Sequence, residues 1–374
     1  MDVVVTGIGL LSCLGSLEET WSELLANKSG IKRSQPFLEL PSYPLGQIAT
    51  KQPLSLENLT LSIVTAALKN ASLQIPLPEC GVVIGSSRGC QIDWEKIARE
   101  KLNILPSYDF FKTLPHAPAI ATARYIQTAA PVLSPMAACV TGIQAIARGY
   151  ELIKTGRCQR VIVGAVETPI TPLTLASFER MGALAKTGCY PFDKKREGLV
   201  LGEGGGVFVL ETAELAKSRG VPIYGRILGF GLNCDAYHIS SPDKNIHTAS
   251  RAIKQCLTRS NLTIDAIDYI HAHGTSTKLN DLHEAELIDS LFFHRVAVSS
   301  TKGATGHTLG ASGAIGTAFS FMALKHGYLP PCVGLDKTDF HLDLVTQSRR
   351  TFINNTLCLG FGFGGQNAVL AIGK

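Results

Sequence analysis

The sequence predicts a layered α/β protein made of two similar halves. Three observations carry that expectation: short β-branched runs that end in Gly or Ser, helical spacing in the segments between them, and one glycine-bounded helical stretch that occurs twice. Residues 3–7 (VVVTG) and 82–85 (VVIG) are continuous apolar runs, the pattern of strands buried on both faces. Residues 56–71 between them place apolar side chains three and four apart, which predicts a helix. The first copy of the repeat, 142–156 (GIQAIARGYELIKTG), is followed by a strand-like run at 161–164 (VIVG). Beyond a glycine-rich stretch at 199–210 and a polar one at 211–220, the same order resumes. A run at 227–229, a helix over 247–260 and a run at 296–299 lead to the second copy, 313–327 (GAIGTAFSFMALKHG), and to a last run at 357–360. Both copies keep Lys two residues before a closing Gly that suits a helix C′ position, and their small residues let a helix lie deep against a sheet. The polar stretch puts the junction of the halves near residue 220.

Composition agrees with a chain of this kind. At ~150 residues per domain, 374 residues make two domains or one large double unit. With 45% hydrophobic and 17% charged residues the chain is not a disordered or solvating protein. No apolar run reaches the ~18 residues that a membrane span needs. The chain opens on a strand-like run without a basic leader, so a cytoplasmic protein is expected. Ten scattered cysteines then read as reduced thiols. A net charge of +5 without a Lys/Arg run argues against nucleic acid and leaves room for an acidic partner. The 36 glycines cluster at a few places, and those places carry the chemistry.

Residues 134–142 (SPMAACVTG) set Cys139 where a strand hands over to the first repeat helix. A thiol there feels the positive helix end, which lowers its pKa from ~8.5 and favours the nucleophilic thiolate. Ala137, Ala138 and Gly142 leave space for an acyl group, although a packed, inert cysteine fits the same position. Residues 269–277 (YIHAHGTST) allow two readings. His271 and His273 share a face of a strand and suit a zinc pair, but no Cys-x-x-Cys or further close ligand follows. In the other reading His273 does acid–base work while the hydroxyls of Thr275 and Thr277 bind a polar chain. Residues 299–313 (SSTKGATGHTLGASG) precede the second repeat helix as Cys139 precedes the first, which puts His307 at a related place. Lys302, five residues earlier, is an odd choice for a merely buried turn. In 359–367 (LGFGFGGQN), the alternation of Gly with Phe361 and Phe363 offers backbone N–H groups to an oxyanion, worth ~3 kcal/mol per donor. No Gly-Lys-Ser/Thr follows, so this is not a phosphate loop.

Together with 190–206 (YPFDKKREGLVLGEGGG) and 235–242 (DAYHISSP), these stretches resemble the elongating β-ketoacyl-[acyl-carrier-protein] synthases of type I/II, in the thiolase-fold superfamily. The likeness covers nearly the whole chain. It implies two βαβαβαββ halves in a five-layer αβαβα sandwich: residues 1–220 carrying the nucleophile, residues 221–374 carrying two histidines and the Gly-Phe gate. The family's nucleophile falls on Cys139, its histidines on His273 and His307, its lysine on Lys302 and its supporting acid on Glu284. Its phosphopantetheine-binding threonines match Thr275 and Thr277. The backbone N–H groups of Cys139 and Phe363 match its oxyanion hole, with Phe361 and Phe363 at the gate and Phe178 lining the pocket.

The implied enzyme is an acyltransferase, a 3-oxoacyl-[acyl-carrier-protein] synthase of fatty acid biosynthesis. It condenses a Cys139-bound acyl group with malonyl-acyl carrier protein, with loss of carbon dioxide. No metal or other cofactor is implied, because the acyl groups arrive on the phosphopantetheine of acyl carrier protein. The implied assembly is a homodimer, with a heterodimer as the alternative. Within the superfamily, Gly306-His307 replaces the His-Asn of initiating synthases, and Cys358 lies one strand too early for a thiolase's second cysteine. The presence of Cys139 counts against a non-catalytic chain-length-factor subunit. Residues 90–131 look shorter than in the family, and 115–118 (PHAP) and 134–136 (SPM) depart from its wording. A ketosynthase of a polyketide, polyene or glycolipid pathway is therefore the second reading.

Overall fold

Each half contributes five strands that occupy the same positions in the sheet. The computed structural model describes residues 1–49, 54–99 and 110–374. In the first half these are β1 (Val3–Ser12), β2 (Gly81–Gly85), β3 (Val132–Leu133), β4 (Arg160–Glu167) and β5 (Gly204–Thr212). The second half has β6 (Gly225–Cys234), β7 (Tyr269–His271), β8 (Ala297–Ser299), β9 (Asn355–Gly362) and β10 (Gln366–Gly373). Their spatial orders are β3-β2-β4-β5-β1 and β8-β7-β9-β10-β6, which is one topology used twice. The three outer strands of each set run parallel. The remaining two join antiparallel. β1 also pairs antiparallel with β6 over Val3–Val5, so the two sheets are continuous at that corner.

Three apolar clusters correspond to the layers. Helix α1 (Leu56–Asn70), started by the Ser55 hydroxyl accepting from Asn58 N–H, and α2 (Ala117–Ile126) cover the outside of the first sheet. Helix α4 (His247–Ser260) and α5 (Lys278–Leu291) belong to the corresponding cluster of the second sheet. Between the sheets lie α3 (Thr141–Lys154) and α6 (Ser312–His326), the helices of the sequence repeat, in the largest cluster. Both end as expected, on glycines with left-handed φ of 71° (Gly156) and 68° (Gly327). This is the five-layer αβαβα arrangement.

The runs at 3–7, 82–85, 161–164, 227–229 and 357–360 lie on strands, as does 296–299 apart from Val296, and the helices at 56–71 and 247–260 form within a residue of expectation. β5 and β10 were not anticipated. The three glycines that open β5 hide a fully buried strand behind the look of a loop. β10, also almost wholly buried, runs antiparallel to β9 in every pair along its length. Of the stretch 90–131, residues 100–109 lie outside the described residues. Among the described residues no helix is long and apolar enough to cross a membrane.

The two central helices meet at their N-termini. A Cβ on Gly142 would stand 2.6 Å from the backbone nitrogen of Ala314 and 3.2 Å from the Gly310 carbonyl oxygen. Backbone cannot yield as a side chain does. Gly142→Ala is expected to lower the unfolding free energy by about 1–3 kcal/mol, seen as a lower urea midpoint at unchanged m-value.

Candidate active site

The chain turns sharply just before α3. The Thr141 hydroxyl accepts from the Ala137 N–H (2.9 Å) and donates to the Ala138 carbonyl (2.7 Å), closing the turn. Ala138 is held at φ 46°, a left-handed conformation that costs a non-glycine residue free energy. Cys139 follows, buried among Leu175, Phe178, Leu199, Leu201 and Leu309.

His273 leaves β7 in a loop organised by α5. Glu284 accepts from the His273 N–H (2.6 Å) and the Gly274 N–H (2.7 Å), and Asp281 accepts from the Thr275 N–H (2.9 Å). The ammonium of Lys302 donates to the His273 carbonyl oxygen. The backbone of His273 is thus clamped between a carboxylate on its N–H and a cation on its C=O. The Thr275 and Thr277 hydroxyls are 2.9 Å apart, and Thr277 also caps α5.

His307 sits ahead of α6. The Leu309 N–H points at His307 Nδ1 (3.2 Å), and the Ser312 hydroxyl lies 2.8 Å from the same atom. A nitrogen that accepts from an amide carries no proton, so the ring proton is on Nε2. Cys139, His273 and His307 each offer one donor atom, and these three atoms lie within 4.8 Å of one another. The imidazole rings meet edge to face, 5.3 Å between centroids.

The trio opens into a cavity of about 380 Å³ whose walls include Thr275, Thr277, Phe178, Phe361 and Phe363. Phe361 stands edge-on to His273 at 6.0 Å, and Phe178 stacks on Phe363 at 6.0 Å. Gly362 between them passes so close that a Cβ there would be 3.2 Å from the Cys139 nitrogen. The Phe363 N–H is thereby brought within hydrogen-bonding reach of the Cys139 sulfur. All the residues singled out by resemblance around the cavity are therefore assembled there, with Lys302 and Glu284 buried behind His273.

Burial sets the charge states. Desolvation, with Lys302 second, holds both His273 and His307 well below the usual histidine range, so both are neutral. Glu284 is pushed up to about 7 by burial, against the two backbone N–H groups and Lys302. Lys302 is lowered by burial and supported by Glu284. Cys139 corrects an expectation. Its place at a helix start was read as lowering its pKa, yet burial pushes the thiol up to about 11, outweighing Lys302 and the Phe363 N–H.

His271 does not join His273. Its Nε2 bonds the Thr301 hydroxyl (3.1 Å), and its ring packs where a Gly316 Cβ would stand, behind the cavity. Two features escaped sequence reasoning. Buried Glu167, at the end of β4, accepts from the hydroxyls of Ser86 (3.0 Å) and Ser87 (2.5 Å), and Ser87 accepts from the Gly310 N–H (3.2 Å), which ties the first half to the His307 loop. Ser312 lies in the 299–313 stretch, where it drew no role from the sequence. Nothing local marks either one.

Comparison with known proteins agrees with this geometry. Residues 47–216 match the family model of the β-ketoacyl synthase N-terminal domain, and residues 224–336 match that of the C-terminal domain. The 3-oxoacyl-[acyl-carrier-protein] synthase 2 of Synechocystis sp. is 33% identical over 410 aligned positions, covering 100% of this chain and 98% of the relative. That of Coxiella burnetii is 33% identical at the same coverage. Among solved structures, a β-ketoacyl synthase from Burkholderia phymatum superimposes with TM-score 0.91 at 27% identity, covering 100% of this chain and 99% of that one. A type II polyketide ketosynthase in complex with its acyl-carrier protein superimposes with TM-score 0.93 at 26% identity and the same coverage.

A thiol held near 11 is mostly protonated at neutral pH, and its thiolate fraction grows about tenfold per pH unit below that value. Iodoacetamide labelling of the Cys139 peptide, followed by mass spectrometry, is expected to keep accelerating between about pH 7 and pH 10. A plateau near pH 8 would contradict the burial argument.

Proposed function

The chain belongs to the β-ketoacyl synthase family, and from that premise we propose that Cys139, His273 and His307 carry out a decarboxylative condensation that lengthens an acyl chain on acyl carrier protein. The observation that carries the assignment is the convergence of one thiol and two neutral imidazoles within 4.8 Å. Fatty acid elongation is the first reading, because the full-length relatives at 33% identity are named 3-oxoacyl-[acyl-carrier-protein] synthase 2.

The geometry supports the following steps. The Thr275 and Thr277 hydroxyls hold the phosphopantetheine arm in the cavity, between Phe361 and Phe363. The sulfur of Cys139 attacks the acyl thioester, the N–H groups of Cys139 and Phe363 receive the oxyanion, and the departing pantetheine sulfur leaves with the proton of the Cys139 thiol. Malonyl carrier protein then takes the emptied channel. Its thioester carbonyl accepts from His307 Nε2–H and from His273, so the enolate formed as carbon dioxide leaves is stabilised by neutral donors. The enolate carbon attacks the Cys139 thioester, giving a 3-oxoacyl product, and the released Cys139 thiolate takes a proton from water. Burial, with Lys302 second, keeps both imidazoles neutral, and Lys302 and Glu284 together fix the His273 backbone.

No metal or other resident cofactor enters this scheme, and the buried Lys302 cation beside the trio opposes a dication there. The ten free cysteines suit a cytoplasmic setting. β3 is an edge strand with Leu133 exposed, and Met136 just beyond it is exposed too, so we place a second copy of the chain against this face. A ketosynthase/chain length factor structure and the carrier-bound polyketide ketosynthase, each at TM-score 0.93, support the second reading: a polyketide, polyene or glycolipid ketosynthase, with a heteromeric partner in place of the second copy. Cys139 beside both histidines opposes a non-catalytic chain-length-factor role.

Incubation with acyl carrier proteins loaded with primers of different length, then intact-protein and peptide mass spectrometry, tests the assignment. The label is expected on Cys139 and lost in Cys139→Ala at unchanged melting temperature; a label on another cysteine sinks it. His307→Ala is expected to cut malonyl decarboxylation by at least ~100-fold while acylation of Cys139 falls much less. Light scattering of the purified chain is expected to give a dimer mass, and a monomer would favour the heteromeric arrangement.

A further inference from the structure

We propose that Ser312 is a positioning residue for the condensation half of the reaction: its hydroxyl donates to His307 Nδ1 and, with the Leu309 N–H, presents His307 Nε2–H to the substrate. This rests on the condensing-enzyme reading, but the side chain belongs to none of the assignments above.

Three observations converge on it. The Ser312 hydroxyl oxygen lies 2.8 Å from His307 Nδ1, shorter than the 3.2 Å contact from Leu309 N–H to the same nitrogen. The amide can only donate, so Nδ1 must accept, and the hydroxyl beside it must turn its hydrogen toward Nδ1. The Thr308 hydroxyl lies 3.2 Å from the Ser312 oxygen and can donate to it, so the order Thr308 to Ser312 to His307 runs in one direction. All three residues are buried.

The backbone around the serine is committed to this arrangement. Leu309 sits at φ 42°, the left-handed conformation in which its N–H meets the ring. Ser312 is the first residue of α6, so packing of that helix against α3 also fixes where the hydroxyl can reach. With the amide as the only donor, the ring keeps its tautomer but has one long bond left against rotation. A ring that swings moves Nε2–H off the malonyl carbonyl. Cys139 acylation uses a different pair of donors and is untouched by that motion.

Ser312→Ala is therefore expected to lower kcat for malonyl decarboxylation and condensation about fivefold to tenfold, with KM for malonyl carrier protein, the rate of Cys139 acylation and the melting temperature nearly unchanged. Equal loss of both half-reactions, or no loss in either, overturns the proposal. A second measurement does not depend on activity. In protein labelled with 15N-histidine, and with His307 assigned through His307→Ala, the Nδ1 resonance is expected at an imine position and to move downfield in Ser312→Ala as it loses a donor. An unmoved resonance also overturns the proposal. If the wild-type chain neither acylates nor decarboxylates while the resonance moves, the condensing-enzyme reading fails and the hydrogen-bond assignment stands.

Discussion

The close approach of two helix N-termini governs this molecule. α3 and α6 abut at Gly142 and Ala314 with no room for a side chain between them. A residue just ahead of one helix is then necessarily near a residue just ahead of the other, although 168 positions of sequence separate Cys139 from His307. The duplicated topology places both helices in the shared middle layer, where each is covered by both sheets. A larger residue at Gly142 would hold the two helices apart, and the glycine brings the chemistry together. The fold therefore builds the site by packing, and the loops add the remaining donors.

Electrostatics inside that packed middle follow one theme, the suppression of unwanted charge. Two histidines in water would be partly protonated near neutral pH, and an imidazolium here would be a poorer match for a neutral thioester that must become an enolate. Burial and the nearby ammonium remove that option. The ammonium in turn is tolerable because a carboxylate grips the other side of the same residue's backbone. The raised thiol pKa belongs to the same environment. A buried sulfur is less ionised at rest, so acyl transfer draws on the oxyanion donors and on delivery of substrate into the cavity beside it.

Much of this was legible in the sequence because the chemistry-bearing residues sit in short runs with unusual neighbours. Cys139 amid alanines, His307 after a Thr-Gly pair and Phe361 and Phe363 among glycines announce themselves, and the repeat of α3 and α6 announces their relation. What stayed hidden depends on distance in sequence or on strand pairing. The start of β5 looks like a loop because its glycines let other backbone and side chains lie against it, a reason visible only in three dimensions. Glu167 and Ser87 are about 80 positions apart and act as a unit with Gly310. The direction of the Cys139 shift was missed because a helix start is a local feature, whereas desolvation sums over every neighbour.

The placement of β1 has a consequence for how the protein is made. It is synthesised well ahead of its neighbours, because both of its long-range partners, β5 and β6, begin only at residues 204 and 225. At synthesis rates of ~5–20 residues per second, a buried strand of Val, Ile and Leu waits roughly 10–40 s for a neighbour. During that time the nascent chain carries an exposed, aggregation-prone edge. The architecture thus leaves β1 without its sheet neighbours until nearly the whole first half has been made, which makes the chain a natural customer of nascent-chain chaperones.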